Sequence, residues 1–340
     1  MTLTSLQQEL IPKIESSLIN NIDSHEFGSS QVLKTMIRYH LGWEDSPGET
    51  NLKGKRIRPF LVLLCSGAFG GDSALEKSLP AAAAIELLHN FTLIHDDIED
   101  RSPSRHGRPT LWQRWGVAQA INAGDALFSI AQIAMLGLSR TIDDQTAVIA
   151  STKFNQVCLH LTRGQFLDID FEDRQLIDTD TYLRMIIGKT AALIGLSTWI
   201  GGLAAGQNEV ILNQLYNFGE SLGLAFQMMD DFLGIWGDPE IIGKSTESDL
   251  TAQKKTLPIL FGLTHCPEFK QLWQKPPNSE NVIEQMSDLL ENCGAKTYVK
   301  ELAQKYTSTA FDHLSEIFPN NNTYTVALSE LSNNLLHRSS

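Results

Sequence analysis

Apolar residues recur every three or four positions along most of this chain, and that spacing limits its fold more than any other feature. Leu3, Leu6, Leu10, Ile14 and Leu18 line one side of a helix, because side chains three and four apart lie above one another. The same period predicts helices from about Ile57 to Phe69, Leu75 to Arg101, Val117 to Arg140, Thr146 to Phe171, Thr181 to Ala205 and Glu209 to Ile235. It continues from about Thr251 to Leu263, Val282 to Leu290 and Tyr298 to Ile317. Sustained alternation of apolar and polar residues, the mark of strands, is absent. Proline and glycine punctuate three polar stretches, Gly42 to Gly54, Gly237 to Ser248 and His265 to Glu280, which read as loops. None is long enough to separate two cores, so residues 1–340 are expected to form a single all-α domain, a large helical bundle around a central cavity.

Charge narrows the function. The 27 basic and 40 acidic residues give a net charge of −13, which argues against a nucleic-acid binder, since that needs a basic face to displace counterions. A phosphate-bearing substrate stays open, because a divalent metal can reverse the local sign in a cleft. The four cysteines, Cys65, Cys158, Cys266 and Cys293, are scattered without a CxxC pair, as expected in a reducing cytoplasm. The N-terminal sequence has no basic stretch followed by an apolar one, so no signal peptide is expected. The greasy run from Thr190 to Gly206 is broken by Ser197, Thr198 and glycines. It falls short of the roughly 20 apolar residues that a membrane span needs, and a buried core helix is expected there.

Two acidic clusters interrupt this apolar pattern. Asp96-Asp97-Ile98-Glu99-Asp100 follows the run Phe91 to Ile94, and the four-residue spacing sets Asp96 and Asp100 side by side on one helix face. Like charges so placed destabilise a helix unless a cation neutralises them, and Mg²⁺ suits hard carboxylate oxygens and bridges to phosphates. Gln227, Asp230 and Asp231, then Gly234 and Asp238, follow a second apolar face. Basic residues accompany both clusters. Lys55, Arg56 and Arg58 open a helix, where an anion is favoured. Arg101, Arg105 and Arg108 follow the first cluster; Lys244, Lys254 and Lys255 follow the second. Lys189 interrupts an apolar helix, where a buried ammonium requires an anionic partner.

In order along the chain, GKRIRP, HNFTLIHDDIEDRSPSRHGRPT, GDAL, RGQFLDI, GKTAAL and FQMMDDFLGIWGDPEIIGKSTESDLTAQKKTLP resemble the trans-isoprenyl diphosphate synthases, also called polyprenyl synthetases. The likeness runs from about Gly54 to Pro258 and is nearest to the short-chain geranylgeranyl diphosphate synthases. It implies an antiparallel helical bundle, a homodimer, and a Mg²⁺-dependent prenyltransferase joining isopentenyl diphosphate to an allylic diphosphate. Three Mg²⁺ ions would be held by Asp96, Asp100 and Asp230, with Asp97 and Asp231 as supporting carboxylates that bind lysine or water. Arg105, Lys189, Thr190, Gln227, Lys244 and Lys254 match the allylic diphosphate site. Lys55, Arg58 and His89 match the isopentenyl diphosphate site, and Gln165 and Asp168 fall in a segment lining the cavity.

Two positions depart from the family pattern. Gly234 stands where the second cluster usually ends in aspartate, and His106 stands where a second arginine usually meets isopentenyl diphosphate. Histidine is shorter and mostly neutral near pH 7, so the acceptor site is expected to be weaker unless Arg108 points back to compensate. Phe91 lies five residues before Asp96, about 7.5 Å down a helix, and Thr92 beside it is small. In the family that combination resembles geranylgeranyl synthases, which predicts a C20 product with Phe91 as the cavity floor. The alternatives are a farnesyl or longer-chain synthase, a terpene synthase on the same scaffold, and a non-catalytic partner subunit.

Overall fold

The computed structural model describes residues 2–43, 54–174, 176–237, 248–277 and 279–336. Lys244 and Asp238 lie outside these residues, as do most of the stretches expected to loop at 42–54 and 237–248. The described residues are overwhelmingly helical and fall into two compact units. Residues 1–154, 199–212 and 322–328 make the first; residues 155–198, 213–321 and 329–340 make the second.

The first unit begins with α1 (Leu3–Asp23). Thr2 caps it: its hydroxyl accepts from the Ser5 amide while Ser5 accepts from the Thr2 amide. Leu6, Leu10, Ile14, Leu18 and Ile22 are fully buried, as the apolar spacing requires. A helix that the periodicity did not reveal, α2 (Gln31–His40), follows and buries Met36, Ile37 and Tyr39. The two helices expected over 57–69 and 75–101 are the two arms of α3 (Ile57–Glu99), which are separated by a kink with non-helical backbone at Gly71. Gly71 has φ 59° and ψ −151°, a conformation essentially restricted to glycine, so the bend is written into the sequence at that point.

A short antiparallel hairpin comes next, β1 (Ser104–Arg105) paired with β2 (Arg108–Pro109). It is too short for an alternating pattern to announce it. After α4 (Leu111–Trp115), α5 (Val117–Leu136) packs antiparallel on α3, with Gly124 against His95, Phe128 against Phe91 and Gly137 against Pro80. A Cβ at Gly124 would overlap the His95 ring, so glycine sets how closely the two helices approach. The chain continues into α6 (Asp144–Asp173).

Along the chain come α7 (Thr179–Ile186), a π turn at Ile187–Ala191, α8 (Ala192–Ala204) and α9 (Glu209–Trp236), all in the second unit except residues 199–212. α10 (Ser248–Thr251), α11 (Leu257–His265), α12 (Pro267–Trp273), α13 (Glu280–Asn292) and α14 (Ala295–Ile317) follow, and α15 (Thr323–Leu336) ends the described chain. α12 falls inside the stretch expected to loop from His265 to Glu280. Pro267 occupies its first turn, where the missing amide costs nothing, and Phe269 is fully buried. One apolar cluster gathers Phe171, Tyr182, Met185, Met228, Phe232, Leu257 and Val299; a second gathers Ile259, Leu263, Phe269, Met286 and Leu290.

Two spans among the described residues, Val117–Arg140 and Thr179–Ala204, are long and apolar enough to cross a membrane by composition. The apolar window of Thr179–Ala204 is 83% buried inside the protein, as expected of a core helix, against 44% for Val117–Arg140. Leu10→Ala should destabilise the protein by about 2–5 kcal/mol, read as a lower denaturation midpoint, because the fully buried side chain leaves a cavity under α1.

Candidate active site

In the first unit the acidic cluster forms the last turn of α3. Asp97 is buried and accepts Arg105 Nε at 2.9 and 3.1 Å on its two oxygens, with Arg105 Nη2 at 2.8 Å. Burial pushes the Asp97 carboxyl above the usual carboxylate range, and the Arg105 guanidinium opposes that rise. The sequence reading paired Asp97 with lysine or water and gave Arg105 to the allylic diphosphate. In the structure the partner of Asp97 is Arg105. Asp96 is half-buried and Asp100, the residue closing the helix, is exposed; the Asp100 amide donates to the Asp96 carbonyl at 2.8 Å.

The expected acceptor residues cluster in the same unit. Lys55 is exposed, and Arg58 Nη1 lies 3.0 Å from His89 Nε2. Burial, then the Arg58 charge, holds the His89 pKa well below its ordinary value, so its ring is neutral. Nε2 therefore accepts from Arg58 and the proton sits on Nδ1. His40, on the helix that periodicity did not reveal, belongs to the same cationic surroundings. Burial and the charges of Arg105, Arg56 and Arg108 hold it down to about 3.

His106 and Gly107 are the central residues of the hairpin turn, with φ 51° and 76°. A two-residue hairpin turn with positive φ at both positions has the twist its strands need, and histidine tolerates that region better than most residues. His106 is exposed at the tip. Arg108, the residue that would have to point back to compensate for His106, is engaged at α2. Its side chain is buried, donates through Nη2 to the Tyr39 carbonyl at 2.7 Å, and lies over the Tyr39 ring at 4.5 Å. It fastens the hairpin to α2.

In the second unit Lys189 sits on the π turn that breaks the α7–α8 run, an irregularity often found at functional sites. Its ammonium meets Asp168 of α6 at 2.6 Å, the anionic partner that its apolar setting demands. Two glycines bring these segments together. A Cβ at Gly164 would collide with the Lys189 backbone, and one at Gly188 would lie 2.7 Å from the His160 carbonyl oxygen. Thr190 donates to Gln227 Oε1 at 2.8 Å, and Gln227 donates to Asp231 Oδ1 at 3.1 Å. Asp231 also accepts from the Tyr182 hydroxyl and, at 3.1 Å, from the Leu257 amide. Burial pushes its carboxyl up to about 7 against the pull of these donors.

Asp230, the neighbouring residue on α9, is exposed. One turn on, a Cβ at Gly234 would run into the carboxylate of Asp249, with Cγ at 2.7 Å. Asp249 of α10 therefore lies directly against the Gly234 backbone, a contact no local spacing reveals. Lys254 is exposed and its amide bonds the Asp249 carbonyl at 2.9 Å, whereas Lys255 caps α6 by donating to the Phe171 and Glu172 carbonyls at 2.6 and 2.8 Å.

Residues 43–290 match the polyprenyl synthetase family. The chain belongs to this family. It is 42% identical to the geranylgeranyl diphosphate synthase of Mycobacterium tuberculosis over 252 residues, 72% of this chain and 71% of that protein. It is 35% identical over 327 residues to the (2E,6E)-farnesyl diphosphate synthase of the same organism, covering 93% and 88% of the two chains. The solved geranylgeranyl pyrophosphate synthetase of Pyrococcus horikoshii superposes with a TM-score of 0.87 at 30% identity, over 98% of each chain. The synthetase is thus a trans-prenyltransferase with the all-α isoprenoid synthase fold. Gly234→Ala in this synthetase should cost about 1–3 kcal/mol, seen as a lowered thermal midpoint, because the methyl group displaces the Asp249 carboxylate.

Proposed function

We propose that this polyprenyl synthetase condenses isopentenyl diphosphate with an allylic diphosphate and stops at geranylgeranyl diphosphate. The observation that carries the reading is the division of labour within each aspartate pair. Asp97 and Asp231 are buried and held by protein donors, while Asp96 is half-buried and Asp230 exposed beside them.

Asp96, Asp100 and Asp230 are the carboxylates that would hold the three Mg²⁺ ions of the family. Their donor chemistry fits, since Mg²⁺ prefers hard oxygens and is commonly bound by one or two carboxylates together with substrate phosphates. When bound, the ions neutralise charge on the departing diphosphate.

Lys189, Thr190, Gln227, Lys254, Arg105 and Lys244 bind the allylic diphosphate, and Lys55, Arg58 and His89, with His106, hold that of isopentenyl diphosphate. Loss of the allylic diphosphate leaves an allylic cation, which the double bond of isopentenyl diphosphate attacks. A proton then leaves to the departed diphosphate, and apolar walls lined near Gln165 and Asp168 keep water from the cation. Chain growth stops at Phe91, whose ring packs on His95 at 4.7 Å and Phe128 at 5.1 Å, centroid to centroid. Both farnesyl and geranylgeranyl synthases are among the relatives, so the C20 assignment rests on Phe91 beside the small Thr92.

A cytoplasmic homodimer is the working form we propose. Val117, Ile121, Ile133 and Leu136 are exposed on α5, an apolar surface that a second copy would cover, and all four cysteines are free thiols. Labelled isopentenyl diphosphate, incubated with C5, C10 and C15 primers, should enter a C20 product. A terpene synthase would leave the label unincorporated. Asp96→Asn or Asp230→Asn should lower kcat about 10²–10³-fold, and chelation should abolish turnover until Mg²⁺ is restored. Phe91→Ala should lengthen the product; an unchanged distribution by mass spectrometry would show the floor to lie elsewhere.

A further inference from the structure

Arg56 stands between Lys55 and Arg58 in the sequence but does not join them. It is only 4% exposed, and each guanidinium nitrogen is engaged inside the first unit. Nε donates to Glu15 of α1 at 2.6 Å, Nη1 to Glu86 of α3 at 2.9 Å, and Nη2 to the Leu41 carbonyl, just past α2, at 3.0 Å. The two carboxylates are themselves supported: Glu15 accepts from Trp43 Nε1 at 2.6 Å and Glu86 from Asn90 Nδ2 at 3.1 Å. A buried arginine shared by two carboxylates that accept further donors, Trp43 on the other oxygen of Glu15 and Asn90 on the same oxygen of Glu86, is a rigid node, because releasing any partner leaves charge stranded away from water.

The backbone at Arg56 shows what that node holds. With φ 48° and ψ 38° it is left-handed, a region that side-chain-bearing residues adopt only when their surroundings enforce it, and it immediately precedes α3. The turn so fixed sends Arg56 inward while Lys55 on one side of it is exposed. Arg58, two residues on, reaches His89, which lies three residues from Glu86 on the same helix. The carboxylate that anchors Arg56 and the imidazole that meets Arg58 therefore share one helical turn.

We propose that Arg56 is a positioning residue for the acceptor substrate: clamped by Glu15 and Glu86, it sets Lys55 and Arg58 in register with His89 for a diphosphate. Glu15 lies outside the 43–290 segment that matches the family, so α1 becomes part of the acceptor site through this clamp. The proposal rests on the reading that Lys55, Arg58 and His89 bind isopentenyl diphosphate.

The test is steady-state kinetics, varying isopentenyl diphosphate and the allylic primer separately, on Glu15→Gln, Arg56→Gln and Arg56→Lys, with Lys55→Ala and Arg58→Ala as references. Glu15→Gln and Arg56→Gln should each raise KM for isopentenyl diphosphate about tenfold or more, with kcat and the primer KM within about twofold. Arg56→Lys should recover part of the loss. The double variant Glu15→Gln/Arg56→Gln should be no worse than about the poorer single one, since both break the same clamp. Should Arg56→Gln not fold, Glu15→Gln alone decides, because it reaches the turn through Arg56. An unchanged acceptor KM in Glu15→Gln and Arg56→Lys, with Lys55→Ala and Arg58→Ala still raising it, overturns the clamp. So does a parallel fall in kcat and rise in both KM values. If Lys55→Ala and Arg58→Ala also leave the acceptor KM unchanged, the acceptor-site reading itself fails and the clamp with it.

Discussion

A carboxylate can sit at the end of an apolar helix, out of water, only where fixed donors replace its hydration, and the functional part of this synthetase is arranged around that requirement. Each aspartate pair solves it in the same way. Asp97 is met by both faces of an arginine fork, and Asp231 by a phenol, an amide side chain and a backbone N–H. These bonds fix the turn of helix that also carries the more accessible partner, so Asp96 and Asp230 are presented on backbone that cannot rotate away. The hairpin exists in part to deliver Arg105 to Asp97, and the start of α11 to deliver the Leu257 amide to Asp231. Even where the first unit buries a cation, at Arg56, each guanidinium nitrogen donates to a fixed acceptor.

Glycine sets the distances at which these bonds become possible. Gly164 and Gly188 let α6 and the π turn meet backbone to backbone, which brings Asp168 to Lys189. Gly124 lets α5 lie against His95, and the ring of Phe91 contacts both His95 and Phe128 of α5. Gly234 removes a side chain so that a carboxylate from a different helix can enter. In each case the missing Cβ matters for close approach rather than for backbone freedom, and a methyl group would separate elements that the chemistry needs in contact.

Much of this was legible beforehand. The helical class followed from apolar spacing, the break in α3 from the gap between helices predicted to end near Phe69 and begin near Leu75, and the need for an anion beside Lys189 from an ammonium in an apolar run. Elements with weak or short periods were not legible. α2 has only ten residues, and α12 lies among prolines that read as loop, yet Pro267 starts that helix and Phe269 anchors it. The roles of neighbouring arginines were also hidden. Arg56, Arg58, Arg105 and Arg108 look equivalent as basic residues near acidic ones, but one is clamped in the interior, one meets a histidine, one holds Asp97 and one lies under the hairpin against Tyr39.

What the sequence determined by itself is everything that repeats within a few residues: most helix positions, the faces that must be buried, the crowding of Asp96 and Asp100 on one face, and the family to which the ordered motifs belong. What only the tertiary structure decided is which distant group answers each local demand. Asp168 neutralises Lys189 across 21 positions of sequence, Tyr182 reaches Asp231 across 49, and Asp249 fills the space over Gly234. Spacing along a helix is fixed by its geometry and can be read from residue order. A partner brought from elsewhere depends on how closely whole elements pack, which no short stretch of sequence contains.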